Sequence, residues 1–175
     1  GRMKYALEQY FLAAGEAVLR PGLVVGPGGL CRRMARLIDR WPVLPLPDGG
    51  RHPVPLIGVE DLGRCLEAVL AAGEGGAWNL AYRREPALRE LLRAIRDVSG
   101  RRCLFVPFPA GLILTPLALL RRCGLDAGVD PDSLRGYRGN RPGMHASDLD
   151  RLEVPDRPLA EVVGAAFGEG LEGAG

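Results

Sequence analysis

Val18-Leu19-Arg20-Pro21-Gly22-Leu23-Val24-Val25-Gly26-Pro27-Gly28-Gly29 holds two short apolar runs, broken by Arg-Pro-Gly and closed by a glycine-rich turn. Ala17 to Leu19 is a strand candidate ended by Arg20-Pro21-Gly22, and Leu23 to Val25 extends it into the turn. Leu30, Met34, Leu37, Ile38 and Trp41 then recur at helical spacing on one predicted face. The passage therefore reads strand, glycine turn, helix. Amides in the turn at Gly26 to Gly29 could face an anion, although such turns mostly serve chain geometry.

The same alternation runs outward in both directions. Met3, Ala6, Leu7, Tyr10, Phe11 and Ala14 predict a helix stopped at Gly15. Val43 to Pro47 is an extended segment that turns at Asp48-Gly49-Gly50, with a partner strand expected around Val54 to Val59. Leu62, Cys65, Leu66, Val69 and Leu70 predict a third helix, and Trp78 to Ala81 a short buried strand. Leu88, Leu91, Leu92, Ile95 and Val98 mark a fourth helix, with arginines opposite. Cys103 to Val106 is another strand candidate. Ala110 to Arg122 predicts an apolar helix kinked at Pro116, followed by loop-like sequence from Gly124 to Asp150 with a short helix near Asp132 to Arg135. A last amphipathic helix carries Leu159, Val162, Val163, Ala166 and Phe167. Helices alternating with short strands make the class α/β.

The chain has 175 residues, 47% of them hydrophobic and 25% charged, which is globular composition with enough length for a buried core. A net charge of +2 argues against a nucleic-acid footprint, which wants a clustered basic face. Aromatic residues at 6% also argue against an RNA-binding module, since base stacking needs exposed rings. Lys4 is the only lysine among 23 basic residues, so any chemistry that needs an ammonium has one candidate. Cys31, Cys65, Cys103 and Cys123 form no Cys-x-x-Cys pair and read as free thiols. His52 and His145 have no partner at metal-ligand spacing, so no metal site is expected. The longest apolar run, Ala110 to Leu120, is too short to span a bilayer, and no signal peptide is evident, so a cytoplasmic setting is expected. Asp61, Glu60 and Glu67 form no evident acid–base pair and are expected to be solvated or capping. A formal Gly-x-Gly-x-x-Gly at Gly168, Gly170 and Gly173 follows a helix rather than a strand, and so lacks the context of a dinucleotide fingerprint.

The order of segments resembles the C-terminal half of the extended short-chain dehydrogenases/reductases, the NAD(P)-dependent epimerase/dehydratase family. The resemblance rests on Lys4-Tyr5-Ala6-Leu7-Glu8-Gln9, on Val18 through Gly28, on Ile57-Gly58-Val59-Glu60-Asp61-Leu62, and on Trp78-Asn79-Leu80-Ala81, in that order. It implies a partial NAD(P)-binding Rossmann-like domain, its last strands and helices only, with a smaller α/β substrate-binding part. Residues 1–167 would be the domain and 168–175 a flexible tail. The family's Tyr-x-x-x-Lys motif would put its lysine at Lys4 and its tyrosine immediately before Gly1. There the lysine binds the nicotinamide ribose and lowers the phenol pKa for proton transfer. Pro21, Gly22, Leu23 and Val24 would pass backbone groups to the carboxamide of NAD or NADP.

Two departures bear on the substrate. Members acting on sugar nucleotides tend to carry Asn where Leu23 stands, and Arg-x-x-x-His where this chain has Val54 and Gly58. The resemblance therefore implies a fragment of an oxidoreductase or epimerase that moves hydride to or from a carbonyl or alcohol, inactive by itself. The alternative is a non-catalytic NAD(P)-binding scaffold or assembly subunit of the same fold. Expected partners are a small-molecule substrate, the N-terminal half of the same chain and, as an option, further copies in a homo-oligomer; no nucleic acid and no membrane span are expected. Faces that would pack on the absent half should be bare, with poor solubility or association when this piece is expressed alone.

Overall fold

The computed structural model describes residues 2–109 and 146–168. The helix expected over Ala110 to Arg122, the loop and short helix after Gly124, and the glycines from Gly170 onward lie outside the described residues. The described residues form five helices and six strands: α1 (Arg2–Ala13), β1 (Ala17–Pro21), β2 (Leu23–Val25), α2 (Gly29–Arg40), β3 (Val43–Pro47), β4 (Leu56–Gly58), α3 (Val59–Ala72), β5 (Gly76–Leu80), α4 (Leu88–Val98), β6 (Leu104–Phe108) and α5 (Leu159–Gly168). The α/β class stands, with every ladder between these strands parallel.

The Arg20-Pro21-Gly22 break is where the chain changes partner. β1 pairs with β5 in the register Ala17 to Gly76 through Pro21 to Leu80, and β2 pairs with β4 from Leu23–Leu56 to Val25–Gly58. Between them, the Gly22 N–H donates to Leu80 O at 2.9 Å and the Leu23 N–H to Pro55 O at 2.7 Å. One extended run thus serves two ladders. Gly22 is required there: a Cβ would lie 2.7 Å from the Pro55 carbonyl oxygen.

The expected hairpin of Val43–Pro47 with Val54–Val59 is not formed. β3 pairs instead with β6, Val43 with Leu104 through Pro47 with Phe108, and β4 belongs to β2. A turn at Asp48-Gly49-Gly50 is present as a short 3₁₀ helix, but it leads into a crossover rather than back along the same strand. Parallel pairing buries the short strand Leu56–Gly58 completely.

Two helical faces also differ from expectation. In α2 the buried residues are Cys31 and Ile38, while Leu30, Leu37 and Trp41 are exposed. In α3 the buried stripe is Asp61, Cys65 and Val69, and Leu66 and Leu70 are exposed. The apolar periodicity named the helices correctly but set their inward faces off by a fraction of a turn. Cys31, Cys65 and Cys103 are buried free thiols. Met3, Leu7 and Tyr10 of α1 are exposed.

Residues 146–168 close over the end of β5. The Asn79 N–H donates to Asp148 Oδ2 at 2.7 Å, the Asp148 N–H to Asn79 O at 3.0 Å, and the Ser147 hydroxyl to Ala81 O. From there Leu149, Leu152 and Val154 enter the core, and α5 packs on α4, β2 and β4 through Val162, Val163 and Ala166.

Candidate functional site

The carboxyl ends of β2 and β4 meet beside α5 and enclose a cleft of about 450 Å³. Open α/β folds bind ligands at this end of parallel strands, because chain reversals and helix starts converge there. Val25, Val59, Val162 and Ala166 make most of its wall, with Arg157 and Glu60 as its charged members.

Arg157 is held on several sides. Its Nη1 donates to Glu60 Oε2 at 2.8 Å, and its Nε to Glu161 Oε1 at 2.9 Å. Nη1 also lies 3.7 Å from Asp61 Oδ2. These partners raise the pKa of the guanidinium above its already high ordinary value, Glu60 contributing most and Glu161 next. Nη2 has no acceptor among the described residues.

Behind the cleft wall lies a buried polar cluster. Asp61, on the first turn of α3, is fully buried. The Tyr82 hydroxyl donates to its Oδ2, and Arg64 Nη1 to its Oδ1 at 2.7 Å. The same hydroxyl accepts the Gly58 N–H at 3.1 Å. Burial, and then the hydrogen bond to Asp61, push the Tyr82 phenol well above its usual range. Gly58 leaves room for this arrangement, since a Cβ there would sit 3.0 Å from the Tyr82 oxygen.

Asp61 thus corrects the expectation of a solvated or capping carboxylate, and Glu60 is a salt-bridge partner. Sequence reasoning missed Asp61, Tyr82 and Arg157, although two of them carried a signal. Asp61, Cys65 and Val69 recur every four residues on one helical stripe, and Trp78, Leu80 and Tyr82 alternate inward along one extended segment.

The other sequence-predicted residues fall as follows. Pro21 ends β1, Gly22 is the partner-switch residue, and Leu23 and Val24 open β2; none of the four lines the cleft, whose wall begins at Val25. The amide hydrogens of Gly22 and Leu23 are already bonded to carbonyls. Lys4 is exposed on α1. One turn further along the same face, Glu8 accepts from Arg20, the residue before Pro21.

No protein-family model and no curated protein sequence matches the chain. Solved structures do. It is similar to a dTDP-4-dehydrorhamnose reductase from Bacillus anthracis in complex with NADP, at 15% identity and a TM-score of 0.65, with 95% of this chain and 53% of that one covered. An ADP-L-glycero-D-manno-heptose-6-epimerase from Helicobacter pylori gives 13% identity and a TM-score of 0.60, covering 95% and 48%. A UDP-glucuronic acid 4-epimerase from Bacillus cereus, in complex with UDP-glucuronic acid and NAD, gives 15% and 0.55, covering 87% and 44%. The fold is shared. It is the mixed α/β architecture of part of these two epimerases and the reductase, and the chain spans about half of their length. Among the described residues no helix is long and apolar enough to cross a membrane.

Proposed function

We propose that this chain is the substrate-side portion of an NAD(P)-dependent oxidoreductase or epimerase whose full-length form transfers hydride to or from a carbonyl or alcohol. The observation that carries the reading is the partner switch at Gly22, which joins the β1–β5 ladder to the β2–β4 ladder, the second of which ends in the cleft. The likeness to NADP- and NAD-bound structures supports it at the level of fold.

In this reading Lys4 holds the nicotinamide ribose, and its ammonium favours the phenolate of a tyrosine four residues earlier in the full-length chain. The Glu8–Arg20 contact supports the assignment, because it joins the lysine-bearing face of α1 to the strand that ends at Pro21. The Gly22 and Leu23 amide hydrogens are engaged in the sheet, so this segment would meet a carboxamide through carbonyl oxygens, which suit its NH₂ group. The bound nicotinamide would supply the hydride chemistry. The chain's own residues would orient it and border the substrate.

The test is titration of the full-length protein with NADPH and NADH, with and without Lys4→Ala. Weakened cofactor binding and lost turnover in the variant are expected; unchanged affinity and turnover overturn the lysine's role. Cofactor binding that needs Lys4, without turnover on any carbonyl, would instead favour the scaffold alternative.

A further inference from the structure

We infer that the cleft between β2, β4 and α5 is a binding site for an uncharged small molecule with an apolar body and a single hydrogen-bond acceptor, such as a ketone or an aldehyde. Calling that molecule the substrate rests on the function proposed above; occupancy of the cleft does not. The volume of about 450 Å³ lies in the range of small-molecule sites. Val25, Val59, Val162, Ala165 and Ala166 give it an apolar wall with nothing to pair with a polar ligand body.

The charges decide the class. Among the described residues Arg157 is the only cation lining the cleft, and Glu60, Glu161 and Asp61 already surround it. With Arg64 on Asp61, the cluster holds two guanidinium groups against three carboxylates. A diphosphate entering here would meet no uncompensated positive charge among the described residues and would face Glu60. The guanidinium does keep donors in reserve, the two N–H groups of Nη2, which has no acceptor among the described residues. Glu161 and Glu60 fix Nε and Nη1, so a carbonyl oxygen that reached Nη2 would meet a donor that is already oriented.

The experiment is ligand-observed NMR on the full-length protein with cyclohexanone and UDP-glucose as probes, on wild type, Ala165→Trp and Val59→Trp. Both substituted positions are exposed at the cleft, so the indole fills it without entering the core. Saturable cyclohexanone binding, weakened about tenfold or more by each tryptophan and not displaced by UDP-glucose, supports the site. Absent binding, binding indifferent to both substitutions, or displacement by UDP-glucose overturns it. NADPH titration of the same samples separates the two ideas: cyclohexanone binding without NADPH binding removes the oxidoreductase reading and keeps the cleft, and the reverse keeps that reading and removes the cleft.

Discussion

The Tyr82 hydroxyl donates to Asp61 while accepting the Gly58 N–H, so one buried oxygen links the end of β4 to the first turn of α3. Tyr82→Phe would leave the Asp61 carboxylate with Arg64 at 2.7 Å and Arg157 at 3.7 Å, and would orphan the Gly58 amide. A stability loss of about 1–3 kcal/mol is expected from the unmet buried groups. Urea unfolding of the two proteins measures it, and a change within error would show that water replaces the hydroxyl freely.

The same phenol sets a pH dependence. Its folded pKa is raised, chiefly by burial, above the unfolded value of about 10. Below that unfolded value both states hold the proton and the contribution to stability is complete. Above it the unfolded chain releases the proton first, so stability falls as pH rises toward the folded pKa. Stability measured from pH 9 upward should decline more steeply in wild type than in Tyr82→Phe. Parallel slopes would contradict the assignment.

Gly22→Ala tests the partner switch. The added Cβ would meet the Pro55 carbonyl at 2.7 Å, a backbone atom that cannot rotate away. Separating β2 from the start of β4 should cost about 1–3 kcal/mol, the scale of overpacking. Thermal unfolding reads the loss, and an unaltered Tm would mean that the two ladders part without penalty.

Lys4→Ala should leave stability within about 0.5 kcal/mol, since an exposed side chain away from a cap or network is being shortened. The proposed role therefore predicts a selective effect, with cofactor affinity falling while the Tm holds. A large fall in Tm would make lost binding uninformative about the ribose contact.

Arg157→Gln removes the cation shared by Glu60, Glu161 and Asp61. Three carboxylates left close together should destabilise α5 against α3 by about 1–3 kcal/mol, and added salt should recover part of it. Amide exchange within residues 159–168 would report this directly. Uniform protection at low salt would argue that the clamp is dispensable.

Much of the architecture was legible because short strands and helices obey local periodicities. Leu91, Leu92 and Ile95 are buried as their spacing predicts, and Gly15, at φ +78°, stops α1 where glycine permits the left-handed turn. Pairing was not local. Val43–Pro47 has a turn behind it and an extended segment beyond, which is also what a hairpin looks like; only its distant partner Leu104–Phe108 distinguishes a crossover. The buried cluster was hidden for a different reason. Apolarity was the guide to the interior, and Asp61 is a charged residue carried inside by Tyr82, Arg64 and Arg157, which come from both near and far along the chain. Leu66 and Leu70 drew the inward face of α3 toward themselves and away from Asp61.

The change of ladder at Gly22 happens without a loop. Consecutive amides, at Gly22 and Leu23, are tied to opposite neighbours, Leu80 and Pro55. No slack exists there to act as a hinge, so a tug on the β1 ladder passes to the β2 ladder within one peptide unit.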